Sequence, residues 1–148
     1  MASCASLAER YRPGWVAGFD LRPWGRFLPI SIPLTAEEWQ AASPTLLSEI
    51  VMPFEIDFGR TATIEKERKH LLIRAIHPGQ VDGIIAWVWL ELTPDIQLDG
   101  QAGPGAGVWK RYWHPFTKPF RIQADETLAI EVEHTEQGLN WWVTDPRA

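Results

Sequence analysis

The sequence predicts an all-β fold: a mostly antiparallel barrel or barrel-like sandwich, with one or two short helices near the N-terminus. Apolar and polar residues alternate over several short segments, which is the period of a strand with one buried face. Proline and glycine, 12 and 11 in number, fall between these segments, as turn residues do. No long helical pattern separates the segments, and such an arrangement is typical of sandwiches and barrels.

The chain length of 148 residues suits one domain of ordinary size. The hydrophobic share of 45% is normal for a globular core, so the chain is not expected to be disordered. We expect residues 1–14 to form an N-terminal segment that contains a short helix, and residues 15–148 to form the β domain. A frayed terminus is the alternative for the first segment.

Two short stretches near the N-terminus favour a helix. Residues 3–11 contain several alanines, and a Pro-Gly pair follows them. A second helix is predicted from about residue 36 to residue 42. Thr35 and Glu38 have the spacing of a capping box at its start, and Pro44 limits its end.

The strands are predicted from residue 49 onward. Residues 50–58 alternate with one mostly apolar face, and Pro53 within them indicates an edge or a bulge. Residues 81–92 are apolar for most of their length, so both faces of that strand should be covered. Residues 93–106, rich in Gly, Pro and Asp, should form a loop. The remaining predicted strands are 69–76, 107–116, 119–123, 128–133 and 139–143.

Composition argues against several classes of function. The net charge is −5 and the one basic cluster is Lys110-Arg111, so no nucleic-acid partner is expected. Cys4 is the one cysteine, so no internal disulfide forms and a reducing, cytoplasmic location is expected. No apolar run has the length of a secretory signal or a membrane span. Nine tryptophans indicate that some lie at grooves or interfaces.

The sequence offers no catalytic residue and no metal ligand set. The glycine-rich run 100–107 contains Pro104, and no predicted helix follows it, so it lacks the context of a phosphate loop. None of the four histidines has a second histidine or a cysteine at ligand spacing. His114 is expected to be a packed or edge histidine. Glu131 and Glu133 are expected to lie on a solvated strand face with Glu136.

Four segments occur in an order and at a spacing that match a known family. They are residues 15–20 (WVAGFD), 55–58 (EIDF), 81–89 (VDGIIAWVW) and 107–128, which begins GVWKR and ends ADETL. In these segments the chain resembles the C-terminal β-barrel half of the protein arginine methyltransferases. The resemblance extends from residue 15 to near the C-terminus.

The resemblance implies that the barrel forms one wall of a substrate groove. The groove residues would be Trp109, Lys110 and Arg111, with Trp113 nearby, and packing of Trp109 into the barrel is the alternative. The family's cofactor-binding half, its first barrel strand and most of its dimerisation arm have no counterpart here. The expected catalytic and cofactor-binding residues are therefore none, and S-adenosylmethionine would enter only through a missing or partner domain.

One loop departs from the family pattern. Gly107 and Val108 replace the threonine and histidine of the family's Thr-His-Trp loop. Valine has no polar side-chain atom, so it cannot make the contacts that the family histidine makes to the acidic substrate site. The chain alone is therefore expected to be inactive.

The expected partners are a second copy of the chain or a cofactor-binding methyltransferase domain. A barrel short of a strand has an unpaired edge, which residues 19–32 or another chain should cover. The alternative function is a protein-binding or oligomerisation module unrelated to methyl transfer. A third hypothesis, based on the tryptophan count, is a barrel that binds a small apolar ligand.

Overall fold

The computed structural model of the chain describes residues 1–11, 15–20, 31–60, 65–100, 110–135 and 138–144. Neither of the two described helices has the length and apolar character that crossing a membrane requires. The helices are α1 (Ala5–Arg10) and α2 (Ala36–Ala42). The strands are β1 (Ala2–Ser3), β2 (Trp15–Val16), β3 (Phe19–Asp20), β4 (Ile32–Leu34), β5 (Thr45–Leu46), β6 (Glu67–Arg74), β7 (Gly79–Ala86), β8 (Trp89–Thr93), β9 (Ile96–Asp99), β10 (Arg111–Ile122), β11 (Thr127–Thr135) and β12 (Gly138–Val143).

Two antiparallel sheets form the body of the protein. The larger sheet has the strand order β4-β10-β7-β1-β5, and the smaller has the order β12-β11-β6. Two further hairpins, β2–β3 and β8–β9, pair within themselves among the described strands. The sheets are not closed into a barrel, so the architecture is a barrel-like sandwich. The predicted fold class, mostly antiparallel β with two short helices, is confirmed.

The apolar faces of the two sheets pack against each other. In β11, Leu128, Ile130 and Val132 point inward and are fully buried, as their alternation predicts. Ile73 of β6 and Ile84 of β7 meet them from the two sheets. Each such side chain contributes roughly 1.5–3 kcal/mol when it leaves water. This inter-sheet core holds the sandwich together.

A second core lies on the other face of the larger sheet. Trp113 of β10 and Ile85 of β7 are buried there against Leu7 of α1 and Leu34 of β4. We call this cluster the helix-side core. It makes the larger sheet a middle layer, with α1 on one face and the smaller sheet on the other.

The capping box of α2 is present as predicted. The Glu38 backbone N–H donates to Thr35 Oγ1 at 3.1 Å, and the Thr35 N–H donates to Glu38 Oε2 at 3.0 Å. Ser43 ends the helix in the left-handed conformation, and Pro44 follows. Because Thr35 directly follows β4, the cap fixes α2 beside the end of that strand. It thereby sets the position of Trp39.

The centre of the larger sheet depends on Asp82 and Gly83 in β7. Asp82 is buried and accepts hydrogen bonds from the Cys4 N–H at 2.8 Å and from Gln80 Nε2 at 2.7 Å, so it ties the start of α1 to β7. Gly83 faces Ala2 of β1 on one side and Pro115 of β10 on the other. A Cβ at Gly83 would lie 2.4 Å from the His114 carbonyl oxygen and 2.8 Å from the Trp113 ring. Glycine is therefore required there.

The strand predicted over residues 50–58 is absent. Residues 49–57 have no regular structure, and 58–60 form a turn. The alternation of apolar and polar residues does not by itself provide a neighbouring strand to pair with, and Pro53 has no backbone N–H to donate to the hydrogen bonds between strands. The segment is held instead by Lys69, whose Nζ donates to the Pro53 carbonyl at 2.9 Å and lies 5.2 Å from the centre of the Phe54 ring.

The strand boundaries differ from the prediction at two further places. The predicted strand 81–92 is divided into two strands, β7 and β8. Because β8 is mostly exposed, the prediction that both faces of this strand are covered was wrong for β8. The predicted strands 107–116 and 119–123 are represented by one strand, β10, which begins at Arg111 and has a register shift between Pro115 and Phe120; residues 107–109 lie outside the described residues. Part of the predicted loop 93–106 is β9, and residues 101–106 lie outside the described residues.

The N-terminal segment is built into the larger sheet. Its predicted helix is confirmed as α1, and β1 pairs with both β5 and β7. The N-terminal segment thus contributes a strand in addition to the predicted helix. Ile32 of β4 pairs with Trp113 at one sheet edge, whereas residues 21–30, expected to help cover an edge, lie outside the described residues.

Replacing Gly83 with alanine should lower the free energy of unfolding by about 1–3 kcal/mol or prevent folding, because the added methyl meets a backbone oxygen that cannot move alone. Urea unfolding measures the change. Gly59→Ala is the matched control: that glycine lies in an exposed turn, and its nearest neighbour is a flexible side chain, Asp57. Equal stability losses in the two variants would contradict the proposed constraint.

Candidate functional site at the start of β10

The sequence-predicted site lies at the first residues of β10. There β10 is flanked by β4, with Arg111 opposite Leu34, and by β7, with Tyr112 opposite Ala86. Since α2 follows β4 after a single residue, the helix lies against this end of the strand. The site is therefore formed by a sheet end and one short helix.

Arg111 is held at the boundary between the helix-side core and solvent. Its guanidinium lies 4.9 Å from the centre of the Trp39 ring, and the residue is only 4% exposed. Burial lowers the pKa of Arg111 below its usual value, and the nearby charge of Asp99 acts in the opposite direction. An arginine stays protonated under these conditions, so the site contains a fixed, partly desolvated cation.

The hairpin β8–β9 is joined closely to the end of β7. The Gly100 N–H donates to the Val88 carbonyl at 3.0 Å, and a Cβ at Gly100 would lie 2.7 Å from that oxygen. This contact fixes the end of β9, where Asp99 precedes Gly100. The hairpin thereby places a carboxylate near the guanidinium of Arg111.

The structure places the predicted groove residues differently. Lys110 is exposed, whereas the guanidinium of its neighbour Arg111 is buried against Trp39. Trp113 is fully buried in the helix-side core and supports the strand from within. Trp109 lies outside the described residues. A role for these residues in a substrate groove stays a prediction.

His114 faces the inter-sheet side of β10, opposite Trp113. Its ring lies 5.8 Å from that of Trp141, and burial lowers the pKa of His114 to about 4. The imidazole is therefore neutral at pH 7, and it packs as the sequence predicted. The Trp141 Nε1 beside it is buried and has no acceptor among the described residues.

The acidic face of β11 differs from the prediction. Glu133 is buried beneath two cations: its Oε1 lies 3.0 Å from Lys66 Nζ and accepts from Arg68 Nη2 at 2.7 Å. Hydrogen bonds from Lys66 and Arg68 lower the pKa of Glu133. The expectation of a solvated carboxylate was thus wrong for Glu133, because its basic neighbours cover it. Glu131 is partly buried beside Arg68, and Glu136 lies outside the described residues.

Sequence reasoning did not identify Trp39, Asp99 or Asp82. Trp39 and Asp99 reach Arg111 from α2 and β9, and no spacing in the sequence predicts that three such distant segments meet. The only available signal for Asp82 was a carboxylate inside an otherwise apolar strand. Among the described residues, no group of three or more His, Cys, Asp or Glu side chains is arranged to hold a metal ion.

Comparison with known proteins gives one distant similarity. The chain is 30% identical over 86 residues to an arginine N(omega)-methyltransferase of Streptomyces achromogenes subsp. streptozoticus. The matched region is 58% of this chain and 24% of that enzyme, so the chain spans about a quarter of the relative's length. No family model matches the chain. The similarity supports a distant relationship to arginine methyltransferases.

The Arg111–Trp39 pair should contribute measurably to stability. A double-mutant cycle with Arg111→Met and Trp39→Leu should give a coupling energy of about 1 kcal/mol, because the cation and ring are largely shielded from water. The matched control is Arg68 over Trp142, at a similar 5.1 Å but exposed, for which a smaller coupling is expected. Equal coupling in the two pairs, measured by urea unfolding, would refute the assignment.

Burial of His114 should make stability depend on pH. Its pKa is about 4 in the folded chain and near 6.5 when exposed, so between these values the unfolded chain binds the extra proton. The contribution of neutral His114 is thus fully present above about pH 6.5 and decreases as the pH falls toward 4. His114→Phe should reduce this slope in unfolding measurements, while the exposed control His77→Gln should leave it unchanged. An unaltered slope in His114→Phe would refute the prediction.

Proposed function

We propose that this chain is the β-sandwich module of an arginine-methyltransferase-like system and supplies a wall of the substrate groove. The bond chemistry and the S-adenosylmethionine site belong to another domain or chain. The supporting observation is the 30% identity over 86 residues to an arginine N(omega)-methyltransferase. A wall of this kind accelerates the reaction by positioning the substrate.

The order of the resembling segments supports the same proposal. Segment 15–20 forms the β2–β3 hairpin, 81–89 includes most of β7, and 107–128 contains all of β10. The last two are adjacent strands of the larger sheet. The resemblance thus involves two strands that are neighbours in the sheet, although β8 and β9 lie between them in the sequence. Segment 55–58 is the exception, since it is irregular.

The charges at the start of β10 limit which part of a substrate lies there. Lys110 is exposed, and a lysine repels the guanidinium of an arginine substrate. Arg111, packed on Trp39 and near Asp99, keeps a fixed position beneath it. We therefore assign Lys110 to the carboxylate end of an arginine substrate, or to an acidic residue near a target arginine.

Reconstitution tests this function. The chain, mixed with the remaining three quarters of the Streptomyces relative, should increase methyl transfer from labelled S-adenosylmethionine to arginine. Lys110→Glu should raise the KM for arginine several-fold, since it places a negative charge beside the substrate carboxylate. Lys118→Glu, at an exposed lysine further along β10, is the matched control and should leave KM unchanged.

Two outcomes would contradict the proposal. One is micromolar binding of S-adenosylmethionine to this chain alone in calorimetry, because the cofactor is assigned to another domain. The other is a mixture that shows no association and no gain in methyl transfer at any concentration of the chain. Unfolding curves for Lys110→Glu and Lys118→Glu exclude a general loss of stability as the cause of a changed KM.

A protein-binding or oligomerisation module unrelated to methyl transfer is the second candidate. It is favoured by the exposed apolar side chains in the irregular segment 49–60, among them Ile50, Met52 and Phe58. Clusters of exposed apolar residues are typical of interaction surfaces. A discrete, tight homo-oligomer with no affinity for the methyltransferase domain would favour this candidate over the first.

A further inference from the structure

Among the described strands, the two sheets end in four edge strands: β4 and β5 in the larger sheet, and β6 and β12 in the smaller. An edge strand exposes unpaired backbone N–H and C=O groups, which form a template for another strand. Proteins that stay monomeric protect such edges with short length, proline or charged side chains. The four edges of this protein differ in that protection.

Three edges are protected. β4 has three residues, and its central residue is Pro33; β5 has only two residues. β6 is long, but half of its eight residues are charged: Glu67, Arg68, Lys69 and Arg74. The isolated hairpins are protected in similar ways, since β2 and β3 have two residues each, and β8 and β9 carry Glu91 and Asp99.

The edge of β12 lacks all three kinds of protection. Its six residues, GLNWWV, include no charge and no proline. Two tryptophans and a valine give it a high preference for strand structure. Leu139 and Trp142 are 37% and 41% exposed. Within the described part of the chain, β12 pairs with β11 and with no strand on its other side.

We propose that β12 pairs antiparallel with β12 of a second copy, across a two-fold axis, and joins the two smaller sheets into one sheet of six strands. An interface of this kind is self-complementary, because each strand meets the same strand of its partner. The proposed pairing of β12 is independent of any role of the chain in methyl transfer. The surface of the partner is therefore the same edge of an identical chain.

Charge favours a second copy at this edge. The chain has a net charge of −5, so two copies repel each other across most pairs of surfaces. β12 itself is uncharged, and the two carboxylates of the neighbouring strand β11, Glu131 and Glu133, lie beside cations. Glu133 is bound by Lys66 and Arg68, and Glu131 lies 3.5 Å from Arg68 Nη1. The edge is therefore a place where like-charge repulsion is small.

Sedimentation of the full chain tests the pairing. The 16.9 kDa chain should sediment as a discrete dimer at micromolar concentration. Leu139→Lys should shift it to the monomer by at least tenfold in dissociation constant, because a charged side chain on a pairing edge opposes the addition of another strand. Leu92→Lys is the matched control, the same substitution at an exposed leucine of β8, and should remain dimeric.

Hydrogen exchange supplies a second measurement that does not depend on a variant. Amides of residues 139–143 should exchange more slowly as the concentration of the wild-type chain rises, whereas those of β8 should not change. A wild-type chain that stays monomeric to high micromolar concentration would overturn the proposal. So would a dimer that Leu139→Lys leaves intact with no slowing at β12, since the interface would then lie elsewhere.

Discussion

The close approach of β10 to Gly83 in β7 is the constraint on which the rest of the fold depends. With no Cβ at Gly83, the His114 carbonyl and the Trp113 ring lie directly against the middle strand of the larger sheet. Trp113 thereby enters the helix-side core, and His114 enters the space between the sheets. A side chain at this position would separate β7 from β10 and displace both cores at once.

The same contact fixes the candidate site, because Arg111 precedes Trp113 on β10 and Lys110 comes directly before that strand. α2 is fixed independently by its capping box, and its Trp39 meets the Arg111 guanidinium. Rigid strand and helix ends are suited to hold a substrate at a defined distance from a reacting group. The proposed groove wall therefore rests on a well-packed part of the protein.

The proposed groove and the proposed dimer use strands of different sheets. The groove lies at the start of β10 in the larger sheet, whereas β12 ends the smaller sheet. The two proposals therefore stand or fall separately. Both arise from one property of the fold: open sheets leave strand ends and edges that a closed barrel would not have.

Two elements could be predicted from local signals in the sequence. The capping box predicted α2, and the alternation of Leu128, Ile130 and Val132 predicted β11 and its inward face, because both depend on residues a few positions apart. Three other features became visible in the folded chain alone: residues 49–57 form no strand, Glu133 is covered and Arg111 meets Trp39. These outcomes depend on which distant segments become neighbours, and local periodicity carries no information about pairing partners.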